Sequence, residues 1–140
     1  MVAYSFKKQF GEPIVSGEKC QTVRAPRKRH ARVGEPVQLY VGMRTKACRK
    51  LIEPDPICTS TQIVEIHIDR DAPEIITVMM LDGTALMDHE IEFFAWCDGF
   101  RSQPGKSARH MMGEFWMREH LERDASELRF VGFVIRWEAA

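Results

Sequence analysis

The sequence predicts an α+β domain, a small mixed β-barrel with flanking helices, and three observations carry that prediction. Five or six short segments alternate apolar and polar residues with the period of two that marks half-buried strands. A few other segments place apolar residues three and four apart, the spacing of an amphipathic helix. The two kinds are mixed without the strict strand–helix–strand order of a parallel α/β sheet. At 140 residues one domain, residues 1–140, with a sizeable core is expected.

Taken in order, a short helix is predicted from about Gln9 to Ser16, containing Pro13 and closed by Gly17, a residue free to take the left-handed conformation. Strands follow at Thr22–Arg24, at Pro36–Val41, where Val37, Leu39 and Val41 alternate with Gln38 and Tyr40, and around Arg44–Leu51. The prolines of Ile52–Pro56 mark a loop. A strong alternating pattern covers Cys58–Ile68, and Ile75–Leu81 continues it. Asp82-Gly83 is the signature of a type I′ hairpin turn into Thr84–Met87. Asp88 is expected to cap a helix through Glu90–Cys97, with Ile91, Phe94 and Ala95 on one face. A loop holding Pro104 and Gly105 comes next. Ser107 then caps a helix to about Arg123, whose Met and Trp residues read as core. Arg129–Trp137 is the last strand.

Composition narrows the function classes. Apolar residues make up 44% and charged residues 29%, as in an ordinary globular protein. No apolar run nears the ~20 residues that span a bilayer, and the opening residues lack the apolar centre of a signal peptide. No membrane partner and a cytoplasmic location are therefore expected. Net charge is zero, which gives no global pull on polyanions. Arg24, Arg27, Lys28, Arg29, His30 and Arg32 nevertheless crowd into residues 24–32, with Arg44, Lys46, Arg49 and Lys50 as a second group. Such a run is either a solvated loop or a local face for a phosphate-bearing ligand. Cys20, Cys48, Cys58 and Cys97 contain no C-x-x-C pair, and the histidines (30, 67, 89, 110, 120) fit no zinc pattern. Reduced cysteines, no metal site and no cofactor are expected.

The stretch Ile14-Val15-Ser16-Gly17-Glu18-Lys19-Cys20-Gln21-Thr22-Val23-Arg24 holds the chemistry. If Thr22 opens a strand, Thr22 and Arg24 share one face and Val23 takes the other. Lys19, in the preceding turn, reaches back over that face. An amine, a hydroxyl and a guanidinium then meet at one spot, suited to a carbonyl or phosphate.

The order G-x-K-x-x-T-x-R, then Val33-Gly34-Glu35-Pro36-Val37-Gln38-Leu39-Tyr40, then Phe94-Ala95-Trp96-Cys97-Asp98-Gly99-Phe100, then the strand Phe130–Trp137, resembles the ASCH domain family over essentially the whole chain. That resemblance implies a PUA-like β-barrel and an association with RNA or modified nucleosides. One branch of the family comprises small bacterial amidohydrolases that cleave the exocyclic amide of N4-acetylcytidine with a lysine, a threonine and a glutamate. Carried over residue by residue, the resemblance implies Lys19 and Thr22 as catalytic residues and Arg24 as the arginine that follows them. Asp98 falls at the acidic position, one methylene shorter than the family's glutamate. Tyr40 and Phe100 are expected to contact substrate.

The chemistry is self-consistent. A threonine hydroxyl needs a base to become a nucleophile. A lysine serves as that base only if burial or positive neighbours depress its pKa from about 10.4 towards 7–8. Arg24 would depress it, ionised Asp98 would raise it, and Arg24 suits the developing oxyanion. Two other functions use the same residues: a non-catalytic PUA-like RNA-binding module, in which the basic run contacts phosphates and Tyr40, Trp96 and Phe100 stack bases, and a ribonuclease acting at a 2′-hydroxyl.

Overall fold

Alternation starts the chain: Val2, Tyr4 and Phe6 are buried and Ala3 and Ser5 lie between them, forming strand β1 (Val2–Phe6). The computed structural model of the protein describes residues 2–140. A 3-10 turn (Lys8–Phe10) leads into helix α1 (Gly11–Ser16), matching the expected first helix. Strands β2 (Gln21–Arg24), β3 (Val37–Val41), β4 (Arg49–Lys50), β5 (Ile57–Asp69), β6 (Ile76–Leu81) and β7 (Thr84–Ala85) precede helices α2 (Asp88–Cys97) and α3 (Ala108–His120). Strand β8 (Glu127–Glu138) follows α3.

The described strands form two sheets. One has the order β1-β3-β4, with β1 parallel to β3 and Val2 opposite Val37. The other has the order β2-β8-β5-β6-β7 and is antiparallel throughout. The α+β class is as expected, but the strands do not close into one barrel. An isolated bridge, Pro36 to Ile57, joins the sheets on one side. On the other side β1 and β2 do not pair. Their gap is spanned by side chains, with Arg24 Nη2 donating to the Ser5 carbonyl at 2.7 Å and Arg27 Nη2 to the Ala3 carbonyl at 3.4 Å.

The core sits between the sheets and under the helices. Val37 and Leu39 of β3, Val64 and Ile66 of β5, Ile76 and Met79 of β6, and Val134 and Ile135 of β8 are fully buried. From α3, Met112 and Trp116 pack into it, so the Met and Trp residues of that helix are core as predicted. Ser107 caps α3 as expected, its hydroxyl accepting from the His110 N–H at 3.0 Å. Asp82 and Gly83 both have positive φ (48° and 83°), as a type I′ turn requires.

Several boundaries differ from expectation. The Arg44–Leu51 strand shrinks to Arg49–Lys50 because turn bonds claim the backbone before it: Thr45 N–H to Gly42 O at 3.0 Å and Cys48 N–H to Thr45 O at 3.2 Å. Met87, not Asp88, occupies the cap of α2, and its N–H donates to Glu90 Oε1 at 2.8 Å. The Asp88 carboxylate pairs instead with Arg109 at 2.9 Å. The last helix stops at His120, not Arg123. Among the described residues no helix is long and apolar enough to cross a membrane.

Candidate active site

The site begins at the end of α1. Gly17 adopts φ 87°, closing the helix with its N–H on the Ile14 carbonyl, and the Lys19 N–H returns to the Pro13 carbonyl at 2.9 Å. The next residue is pinned to the end of α2 by Cys20 N–H to Cys97 O at 3.0 Å. These bonds turn the Lys19 side chain inward, where only 3% of the residue remains exposed. Gly99 makes the room: a Cβ there would lie 3.1 Å from Lys19 Cδ and 3.2 Å from its Cβ.

Lys19 Nζ donates to the Asp98 main-chain carbonyl at 2.6 Å and lies 3.7 Å from Asp98 Oδ2. It also sits 4.8 Å and 5.7 Å from the ring centres of Phe10 and Phe6. Burial pushes the ammonium below the ordinary lysine range; Asp98 pulls it back up, and Arg24 depresses it further. The net direction is down, which a lysine needs to act as a base.

Strand alternation brings Thr22 and Arg24 together as predicted. Arg24 Nε donates to Thr22 Oγ1 at 2.9 Å, and its guanidinium lies over Phe6 (4.8 Å) and Tyr4 (5.3 Å). Nε and Nη2 are thus committed, while Nη1 has no partner among the described residues. Thr22 is 4% exposed. Because its oxygen accepts from Arg24, its own proton is left to donate elsewhere.

Lys19, Thr22, Arg24 and Asp98 all line one cavity of about 340 Å³, in the gap between β1 and β2. Phe6, Phe10, Phe115, Trp116 and Phe130 supply its aromatic lining. Lys7, Glu119 and His120 add charged and polar groups, with Lys7 and Glu119 paired at 2.7 Å. Burial lowers the His120 pKa, and its ring lies 4.4 Å from Trp116. Sequence reasoning missed these three residues. The signal for the last two was there: Glu119 and His120 follow Trp116 by three and four, one face of α3.

Two expected contacts are not brought to the cavity. Phe100 is buried behind its wall, 5.8 Å from Phe10 and 5.5 Å from Phe115. Tyr40 is half-buried on β3, opposite Lys50, between Leu39 and Val41, which face the core. Neither lines the cavity.

The basic run is largely engaged within the protein. Arg27 Nε donates to Arg29 O at 2.9 Å, Arg29 pairs with Glu35, and His30 bridges the Tyr4 hydroxyl (3.0 Å) and the Ala25 carbonyl (2.9 Å). The Cys20 thiol is held down to about 6, chiefly by a hydrogen bond from the Cys97 thiol, whose own pKa is raised. Among the described residues no three His, Cys, Asp or Glu side chains converge as metal ligands. No family model, no curated protein and no solved structure matches the chain.

Proposed function

We propose that this protein is an amidohydrolase that cleaves the exocyclic amide of N4-acylated cytidine or cytosine, on the PUA-like fold that its resemblance to the ASCH family implies. The observation that carries the reading is the meeting of a buried, pKa-depressed Lys19 with Thr22, Arg24 and Asp98 on one cavity. A cavity of about 340 Å³ lies within the range of small-molecule sites, and its aromatic lining suits a planar base.

On this reading the chemistry runs through the groups that line the cavity. A neutral Lys19 amine donates one N–H to the Asp98 carbonyl and keeps its lone pair for the Thr22 proton. Thr22 Oγ1 attacks the acyl carbon, and Arg24 Nη1 supports the oxyanion as the carbonyl opens. The C–N4 bond then breaks. N4 leaves as the cytosine amine, taking the proton that Lys19 gained from Thr22, while Asp98 faces the Lys19 ammonium. Water cleaves the acyl-threonine ester, releasing a carboxylic acid and restoring the hydroxyl. The scheme needs no metal.

The deciding experiment incubates purified, folded protein with N4-acetylcytidine and with bulkier N4-acyl analogues, following release of cytidine by its absorbance. Turnover is expected. No turnover on any of them, with retained binding of RNA, would leave the binding-module reading in its place.

A further inference from the structure

We propose that Gln21 is a positioning residue that fixes which oxygen of Asp98 faces the reacting groups; its catalytic consequence rests on the amidohydrolase reading, its structural content does not. Gln21 sits one residue before Thr22 on β2, so its side chain leaves the strand on the side away from Thr22. It is fully buried, so its amide must find hydrogen-bond partners inside the protein.

The partners dictate how the amide is oriented. Arg136 Nε lies 3.2 Å from Gln21 Oε1, and a guanidinium can only donate, so that atom must be the oxygen. Nε2 then faces Asp98 Oδ1 at 3.1 Å and the Phe94 carbonyl at 3.5 Å, both acceptors. Arg136 is itself held by Gln62 and by Ser60 Oγ on β5. A chain of hydrogen bonds therefore runs from β5 through β8 and β2 to the end of α2. Its last link commits Asp98 Oδ1 as an acceptor. Oδ2, 3.7 Å from Lys19 Nζ, is left to face Lys19.

A purely structural Gln21 would need only to satisfy Arg136. Gln21→Met removes the donor to Asp98 and keeps the length. If Gln21 positions Asp98, this variant, once shown to be folded, loses kcat by about ten- to a hundredfold with KM within about twofold, as for other small displacements of a reacting group. The carboxyl carbon signal of Asp98, assigned with Asp98→Asn and read by ¹³C NMR at one pH in folded, substrate-free protein, should move in Gln21→Met. Wild-type kcat in folded Gln21→Met, or an unmoved Asp98 signal in it, overturns the proposal. If the wild type hydrolyses no N4-acylcytosine compound, the amidohydrolase reading fails and the carboxyl signal alone decides on Gln21.

Discussion

Lys19 is the residue on which the candidate chemistry depends, and its environment predicts a pH profile. Folding lowers its pKa, burial being the largest cause, so the neutral amine is populated at lower pH than for a lysine in water. If that amine is the base, hydrolysis rises with pH as Lys19 loses its proton. The midpoint of the rising limb should fall clearly below the ordinary value of 10.5. A kcat profile flat across that range would remove Lys19 from the role. Lys19→Ala should cost roughly 10²–10⁴-fold in turnover. Thr22 gives a second test. Thr22→Ser keeps an oxygen for Arg24 Nε and should retain weakened turnover. Thr22→Val keeps the β-branched shape, removes the nucleophile and should be inactive. It also strands a part-buried guanidinium N–H, so it should lose about 1–3 kcal/mol in thermal unfolding while the serine variant loses less. Valine activity equal to wild type would hand the attack to water.

Elements matter here through how they meet. The turn after α2 is shaped around the lysine stem, because Gly99 has φ 100° and lies against the Lys19 side chain. Gly99→Ala should therefore lose about 1–3 kcal/mol in backbone strain and also displace Lys19, abolishing turnover. Gly83 is the control: its φ is 83° with nothing within 4 Å, so Gly83→Ala should melt lower but hydrolyse normally. Equal turnover in the two variants would refute the fitted contact. The pairing of Thr22 with Arg24 was legible because strand period alone puts them on one face. The cap at Ser107 and the Asp82-Gly83 turn were legible for the same local reason. Strand β1 was not recognised, although Val2, Tyr4 and Phe6 alternate with smaller residues. Its partner β3 lies some 35 residues on in a parallel register, and nothing local announces such a pairing. Phe100 shows the limit from the other side. An apolar residue next to a motif was expected in the site, but periodicity reports that a side chain is buried and not what it is buried against.

At the scale of the whole molecule, the cavity exists because the strands stop short of closing. Side chains of Arg24 and Arg27 reach across from β2 and the loop after it to β1 carbonyls, where a closed barrel would have backbone pairing. Lys7, Glu119 and His120 then border the same cavity from the β1 connection and from α3. The motif order placed Asp98 with Lys19, but no sequence pattern could bring residues 7 and 119 to them, since that meeting depends on how two sheets and a helix pack. Of the basic run, Arg27, Arg29 and His30 are bonded within the protein, while Arg27, Lys28 and Arg29 stay exposed. On the amidohydrolase reading proposed above, the substrate is an uncharged nucleoside or base that enters the cavity. A neutral ligand releases no condensed counterions, whereas a nucleic acid held through six to ten phosphates loses about 10³–10⁵ in affinity between 50 and 200 mM salt. For N4-acetylcytidine, kcat/KM should change by less than about twofold over that interval. The combined Arg27→Ala, Lys28→Ala, Arg29→Ala variant, once shown to be folded, should hydrolyse it at a rate within about threefold of wild type. A steep fall with salt, together with loss of activity in that variant, would instead assign the basic run to the substrate and make the polymer the true ligand.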